Sequence, residues 1–411
     1  MRGTAVWRRA FTNAYRDKPR RSPMRRWVHL EFLGAGVFGV GACVAGSYAW
    51  AAAFPPESGT SASFAIETFM THCVPQAAAA RAWGALASLD VIPPPAHHAA
   101  IRALVTLFGV DTSRDVAPVE AYPTVQDYFS RYVRIDPPDA GAFVVSPADA
   151  VVTASGEVAP AGASGGKEVV CQVKGETVSL DALFRFTLPP LVHPKAGGAD
   201  AATAATARYY VTLALPTGGY HHFHSPCRQR VLATMTVPGD LLPTTATALR
   251  WLPRVVVSNE RVLILGERVD GSAADPPPAA PGPKPPSAPP PGAADSAAAG
   301  STAAHGRCVA MAAIGGYARG RIRLSFDERV ETNLTQEERN FVNTSVARKY
   351  TGCSPVAQPL DELGRFDYGS AIVLVFDGPA GLRPLPPGAT VRVGQSLTVG
   401  GDGTGGDVAS A

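Results

Sequence analysis

RYYVTLALPTGGYHHFHSPCRQRVLATMTV, residues 208–237, sets two apolar runs around a turn rich in glycine and histidine. Each run is built from β-branched and aromatic side chains and bounded by polar or turn-forming residues, the pattern of a β-strand. The same texture recurs in AFVVS (142–146), AVVTA (150–154), EVVCQV (168–173), RVVVS (254–258), RVLIL (261–265), CVAMAAI (308–314) and SAIVLVF (370–376). Nine short strands separated by turn signals predict a β-rich core, a sandwich or a barrel-like sheet. Upstream, QAAAARAWGALASL (76–89) and HHAAIRALVTLFGV (97–110) space apolar residues at i, i+3 and i+4. They predict helices separated by a stop signal at Pro93-Pro94-Pro95. Their thin polar faces suit packing on the body or against a bilayer. The fold class expected is therefore α+β, with N-terminal helices before the β-core.

The chain has 411 residues, enough for one large or two modest domains. It carries 37 Lys and Arg against 34 Asp and Glu, but the charge is uneven. Residues 1–26 hold nine basic residues and one acid, Asp17, which leaves the remainder net acidic. A nucleic-acid-binding body is excluded on that distribution. Six scattered cysteines without a C-x-x-C pair disfavour both a disulfide framework and a structural zinc.

An Arg-rich, acid-poor start reads as a mitochondrial presequence, here a leader over 1–30. From Phe32 to Pro56 there is no charge, and the stretch is long enough to cross a ~30 Å hydrocarbon core. A single transmembrane anchor is expected over 31–56, with the rest of the chain on the side opposite the basic end. Gly271–Gly306 is Pro, Ala, Gly and Ser with almost no bulky side chain, so a solvated loop is expected there. A disordered tail is expected over 400–411. The folded domain is then 62–399, interrupted by the loop at 271–306.

The densest polar cluster is Gly218-Gly219-Tyr220-His221-His222-Phe223-His224-Ser225-Pro226. Histidine suits acid–base work near neutral pH, binds zinc, and also serves structural roles. His221 and His224 fall on opposite faces of an ideal strand, and no Cys or carboxylate stands at familiar ligand spacing. Two further pieces are weak alone: the turn Ser146-Pro147-Ala148-Asp149, and Gly369-Ser370 entering an apolar run.

Together and in this order, the three pieces resemble the phosphatidylserine decarboxylase proenzymes, in particular the mitochondrial type. That family has an Asp in an S-P-x-D turn, two His in Y-H-x-x-H-x-P, and a Gly-Ser pair shortly before the C-terminus. Tyr128-Phe129-Ser130-Arg131, Lys174-Gly175 with Leu180-Asp181-Ala182-Leu183, Pro238-Gly239-Asp240-Leu241-Leu242-Pro243, Asn259-Glu260-Arg261-Val262 and Gly364-Arg365-Phe366 add supporting matches.

The resemblance implies an enzyme that decarboxylates phosphatidylserine to phosphatidylethanolamine and CO₂. Its cofactor, a covalent pyruvoyl group, is made from Ser370 by self-cleavage at Gly369-Ser370. Residues 62–399 would then be the catalytic domain, cut into a β chain ending at 369 and an α chain of 370–411 that stay associated. It further implies that His224 is the base for Ser370, that Asp149 orients His224, and that Ser370 becomes the Schiff-base partner. His221 becomes the proton donor or substrate-positioning group. The partner implied is phosphatidylserine in a membrane, with no metal and no nucleic acid, and the chain could form a homo-oligomer. The location implied is the mitochondrial inner membrane with the catalytic domain in the intermembrane space, or else another endomembrane. Ala371 stands where the family has Thr, and Ile314-Gly315-Gly316-Tyr317 departs from its V-G-A-T-like segment. A rival in the same family is a membrane-anchored homologue that binds lipid without cleaving itself. A membrane-anchored β-domain that binds lipid or protein without catalysis is the rival from another class, and a His-based metalloenzyme is a third.

Overall fold

Strands that share one large antiparallel sheet dominate the computed structural model, which describes residues 84, 87–88, 93–158, 170–173, 176–189, 191, 206–216, 218–242, 244, 255–269, 307–316, 321–333, 346–350, 354–367 and 370–399. The expected leader (1–30), anchor (31–56), loop insert (271–306) and tail (400–411) lie outside the described residues, as does Gly369. Among the described residues, no helix is long and apolar enough to cross a membrane.

The described strands are, in chain order, β1 (Ala150–Glu157), β2 (Val170–Val173), β3 (Glu176–Ser179), β4 (Thr206–Ala214), β5 (His222–His224), β6 (Gln229–Val237), β7 (Arg261–Arg268) and β8 (Cys308–Gly315). They continue with β9 (Ile322–Leu324), β10 (Val346–Lys349), β11 (Val356–Ala357), β12 (Glu362–Phe366), β13 (Ser370–Pro379), β14 (Arg383–Pro384), β15 (Thr390–Val391) and β16 (Thr398–Val399). The large sheet runs β10-β6-β7-β8-β13-β4-β1-β15, with β11 also on β6. A second sheet, β5-β12-β9, packs over it. One hydrophobic cluster joins Val211, Leu213, Ile264, Met311 and Phe376 of the first to Phe223, Ile322, Leu324 and Phe366 of the second. That is sheet-on-sheet packing, with alternate side chains meeting between the layers. β13 is buried along nearly its whole length and is bonded on both edges, to β8 and β4.

Seven of the nine expected runs are strands, and two are not. AFVVS (142–146) makes only an isolated bridge, Val145 with Ser396. RVVVS (254–258) contains a short helix, α4 (Val255–Ser258), which follows α1 to α3 described below. Its backbone groups are satisfied locally: the Asn259 N–H donates to the Val255 carbonyl, and the Arg261 guanidinium donates to that of Val257. β-branched side chains that would have favoured a strand are thus overridden by the residues that follow.

The prolines at 93–95 separate helical residues at 84 and 87 from the second expected helix, which they open. α1 spans Pro94–Phe108, with Pro93 as its cap and proline in its first turn. The first helical N–H groups have no intrahelical acceptor, so a residue that lacks one fits there. Gly109 ends the helix with φ of 59°, the left-handed conformation open to glycine. Two shorter helices, α2 (Val125–Phe129) and α3 (Leu180–Phe184), complete the set, with the Thr124 hydroxyl capping α2 by accepting from the Asp127 N–H.

Candidate active site

The alternation of a strand sorts the histidines. Tyr220, His222 and His224 share one side, where the Tyr220 ring stacks on His222 with centroids 5.1 Å apart and on His224 at 5.6 Å. Phe223 turns the other way into the core. His221 lies against Phe129 of α2, with ring centroids 6.3 Å apart. The expectation that His221 and His224 diverge is borne out. Among the described residues, no three His, Cys, Asp or Glu side chains converge as metal ligands would.

Ser370 is the first residue of β13, and it pairs with Gly315 at the end of β8. It is buried, and among the described residues its Oγ has no hydrogen-bond partner. The serine and the histidine segment are laced together at two points. The Phe366 N–H donates to the His221 carbonyl at 2.9 Å, and the Leu215 N–H donates to the Ser370 carbonyl at 3.0 Å. The turn between β12 and β13 is held from outside as well, since buried Gln126 of α2 donates to the Asp367 carbonyl at 2.7 Å.

The partners of His224 differ from those the resemblance implies. Its Nδ1 is 2.7 Å from the Leu360 carbonyl, and its Nε2 is 2.9 Å from the Tyr220 hydroxyl. A carbonyl only accepts, so Nδ1 carries the proton and the neutral ring keeps a lone pair at Nε2. Burial pushes the His224 pKa below its ordinary value, against the opposing pull of the Leu360 hydrogen bond. Burial pushes the Tyr220 hydroxyl well above the usual phenol range. Asp149 is engaged elsewhere: Arg114 donates to Oδ2 at 2.7 Å and the Val393 N–H to Oδ1 at 2.9 Å. No hydrogen bond joins it to His224 among the described residues, although its charge acts on that ring.

Several residues of the site carried no role in the sequence reading. His222 is buried between the Ser130 carbonyl, 3.1 Å from Nε2, and the Glu362 carboxylate, 3.1 Å from Nδ1. Asn259 accepts from the Leu242 N–H and donates to the carbonyls of Leu242 and Gly315. Arg261, wholly buried, donates to four carbonyls, of Ala182, Leu183, Val257 and Asn259. Glu260 accepts from the Asn333 N–H. The Asn-Glu-Arg run is therefore a clamp behind Gly315, the residue that faces Ser370.

A model of the phosphatidylserine decarboxylase family matches residues 125–275, which include Asp149, all three clustered histidines and the Asn-Glu-Arg clamp. Over that span the chain is similar to the phosphatidylserine decarboxylase family. It is 27% identical over 323 residues to "Phosphatidylserine decarboxylase proenzyme 1, mitochondrial" of Toxoplasma gondii, covering 77% of this chain and 63% of that protein. It is 25% identical over 344 residues to the mitochondrial phosphatidylserine decarboxylase proenzyme of Pongo abelii, covering 80% and 73%. With the phosphatidylserine decarboxylase proenzyme of an Anaeromyxobacter species it shares 28% identity over 331 residues, covering 79% and 94%. The match thus spans less than two thirds of the Toxoplasma relative. Ser370 lies beyond the part of the chain that the family model matches.

Proposed function

We propose that the chain is the proenzyme of a pyruvoyl-dependent phosphatidylserine decarboxylase, which cuts itself between Gly369 and Ser370. The observation that carries this reading is the buried Ser370 hydroxyl with no hydrogen bond among the described residues. Leaving such a group unpaired costs about 1–3 kcal/mol, a cost that a reactive role accounts for.

In this reading Ser370 Oγ attacks the Gly369 carbonyl carbon while His224 Nε2 takes the hydroxyl proton. The peptide C–N bond breaks, the proton passes to the Ser370 nitrogen, and an ester remains. Loss of the Ser370 Cα proton then expels Gly369 as a carboxylate by breaking the Cβ–O bond. The resulting enamine tautomerises, and water releases ammonia to leave a ketone at the new N-terminus. A hydroxyl with no competing partner and a histidine that is neutral near pH 7 suit these steps. Asp149 supports the charge that forms on His224, while Arg114 and the Val393 N–H hold its carboxylate in place.

In turnover the pyruvoyl group supplies an electron sink for loss of CO₂ from a substrate joined through its amine. The work of the chain is to bind phosphatidylserine, exclude water and return a proton to the carbon that loses CO₂, with His221 as the donor. The product is phosphatidylethanolamine. Cleavage would not separate the two chains, because β13 of the α chain lies between β4 and β8 of the β chain. The mitochondrial names of several relatives and the Arg-rich leader support a mitochondrial location. A single-pass anchor over 31–56 in the inner membrane, with the catalytic domain in the intermembrane space, completes the proposal.

Intact-mass measurement of the purified full chain beside Ser370→Ala tests it. A 42-residue C-terminal fragment with a blocked terminus is expected in the wild type alone. Release of CO₂ from phosphatidylserine vesicles is expected only where that fragment forms. An uncut mass in both proteins would replace this reading with that of a lipid-binding homologue that does not cleave.

A further inference from the structure

The partner of His224 Nδ1 belongs to an unusual turn. Gln358-Pro359-Leu360-Asp361 closes on itself through the Asp361 N–H, which donates to the Gln358 carbonyl at 3.1 Å. Proline fills its second position, and Leu360, at the third, has φ of 69°. Proline second and a left-handed residue third is the pattern of a type II turn, whose third position ordinarily falls to glycine or asparagine. Leucine bears a steric penalty there because its Cβ crowds the neighbouring carbonyl. Strain of this kind persists only where the surroundings over-determine it, and it gathers at functional sites.

The surroundings of this turn meet that condition. The Leu360 N–H donates to the Ser225 carbonyl at 3.0 Å, and the Ser225 N–H donates to the Asp361 carbonyl at 2.8 Å. Asp361 Oδ2 accepts the Gln358 N–H at 2.7 Å. The Leu360 side chain packs against the cluster of Val133, Tyr220 and Val393. The two bonds to Ser225 and the packing on Tyr220 tie the turn to the segment that carries His224. The Leu360 carbonyl receives the ring N–H of His224.

We propose that Leu360 is a positioning residue for His224. Its left-handed backbone aims the carbonyl that fixes the ring as the Nδ1–H tautomer and leaves Nε2 as the lone-pair nitrogen, facing the Tyr220 hydroxyl. This is the task of the carboxylate in a Ser-His-Asp arrangement, transferred to a peptide group. The assignment rests on His224 being the base of the proposed self-cleavage, yet the tautomer can be read where no cleavage occurs.

The test sets backbone against side chain. At position 360 glycine keeps φ positive and loses the packing, whereas valine keeps more of the packing and abandons the left-handed region. In the full-length Ser370→Ala protein, which lacks the nucleophile, nitrogen NMR of isotope-labelled histidine reads the ring directly. The Nδ1–H signature of His224 is expected to persist in Leu360→Gly and in Asp149→Asn, and to give way to mixed tautomers in Leu360→Val. With Ser370 intact, Leu360→Gly is expected to release the 42-residue fragment roughly tenfold faster than Leu360→Val, a misalignment effect of ordinary size. A packing role would reverse that order, because valine is the closer replacement in volume. The assignment is overturned if Leu360→Val retains the full signature, if Asp149→Asn loses it, or if valine cleaves faster than glycine. If the wild type releases no fragment while the tautomers follow the expected pattern, self-cleavage falls and the positioning assignment stands.

Discussion

Glu362 Oε1 lies 3.1 Å from His222 Nδ1, so the strand that leads to Ser370 is joined to the histidine strand by charge as well as by backbone pairing. Burial alone would push the Glu362 carboxyl up, but the hydrogen bond and charge of His222, with the Ser325 hydroxyl, outweigh it and hold the pKa at about 2. A carboxylate whose folded pKa lies below its ordinary 4.5 stabilises the fold above that pH. The stabilisation, on the order of 3 kcal/mol, is lost as the pH falls through 4.5 toward 2. Glu362→Gln has no such titration. Urea unfolding from pH 7 down to pH 3 is expected to show a steeper loss of stability in the wild type than in the variant, and equal slopes would falsify the pairing.

Asn259 acts on Ser370 through one intervening residue. Its amide donates to the Gly315 carbonyl at 2.8 Å, and Gly315 is the register partner of Ser370. Asn259→Ala would strip partners from the Leu242 N–H and from the carbonyls of Leu242 and Gly315, all at a buried position. Each unpaired buried group costs about 1–3 kcal/mol, with partial relief by relaxation, so a total loss of roughly 3 kcal/mol is expected. Denaturant unfolding measures it. Self-cleavage should slow even at temperatures where the variant remains folded, because the strand facing Ser370 has lost its brace.

Gly364 explains the glycine of the Gly364-Arg365-Phe366 run. It sits in the middle strand of the small sheet, where an added Cβ would lie 2.3 Å from the Arg323 carbonyl oxygen and 2.6 Å from the Phe223 ring. The nearer obstacle is backbone and cannot swing aside. Gly364→Ala is expected to destabilise by about 2–3 kcal/mol through overpacking, and to displace the strand that leads to Ser370. Phe366 packs on Phe223 with centroids 5.0 Å apart, so Phe366→Ala should cost about 3–5 kcal/mol by leaving a cavity. Thermal unfolding of the two variants beside wild type would show both effects.

Strand content was legible because β-branched runs such as those at 208–215 and 370–376 satisfy a short-range rule that tertiary contacts then reinforce. RVVVS obeyed the same rule and contains a helix, since the partners of its backbone are Asn259 and Arg261 rather than a neighbouring strand. The triple proline was legible as a break between two helices, and only the start of the second, at Pro94, lies a little earlier than its apolar spacing shows. At the site, Ser370, His221 and His224 were recognisable from an ordered set of motifs. The groups around them come from other elements: Gln126 from a helix reaches Asp367, Leu360 from a turn reaches His224, and Glu362 from a strand reaches His222. Pro359 does signal a turn, yet nothing in a leucine announces positive φ. Nor does the sequence show that the Leu360 carbonyl would be the partner of His224 Nδ1.

His224 sets the expected pH dependence of self-cleavage. Burial lowers its pKa from 6.5 and the nearby His222 adds to the effect, while the Leu360 carbonyl and the charges of Glu362 and Asp149 oppose it. A base must be unprotonated to accept the Ser370 proton, so a lowered pKa extends its competence into mildly acidic solution. The unfolded chain protonates this histidine more readily, so the ring also withdraws stability as the pH falls below 6.5. Fragment release followed by mass from pH 8 to pH 5 should therefore hold a plateau through pH 6.5 and break below it. Glu362→Gln removes a charge that raises the His224 pKa, and should carry the break lower still. A break at or above 6.5 would show that another group supplies the base, because the environment of this ring acts in the opposite direction.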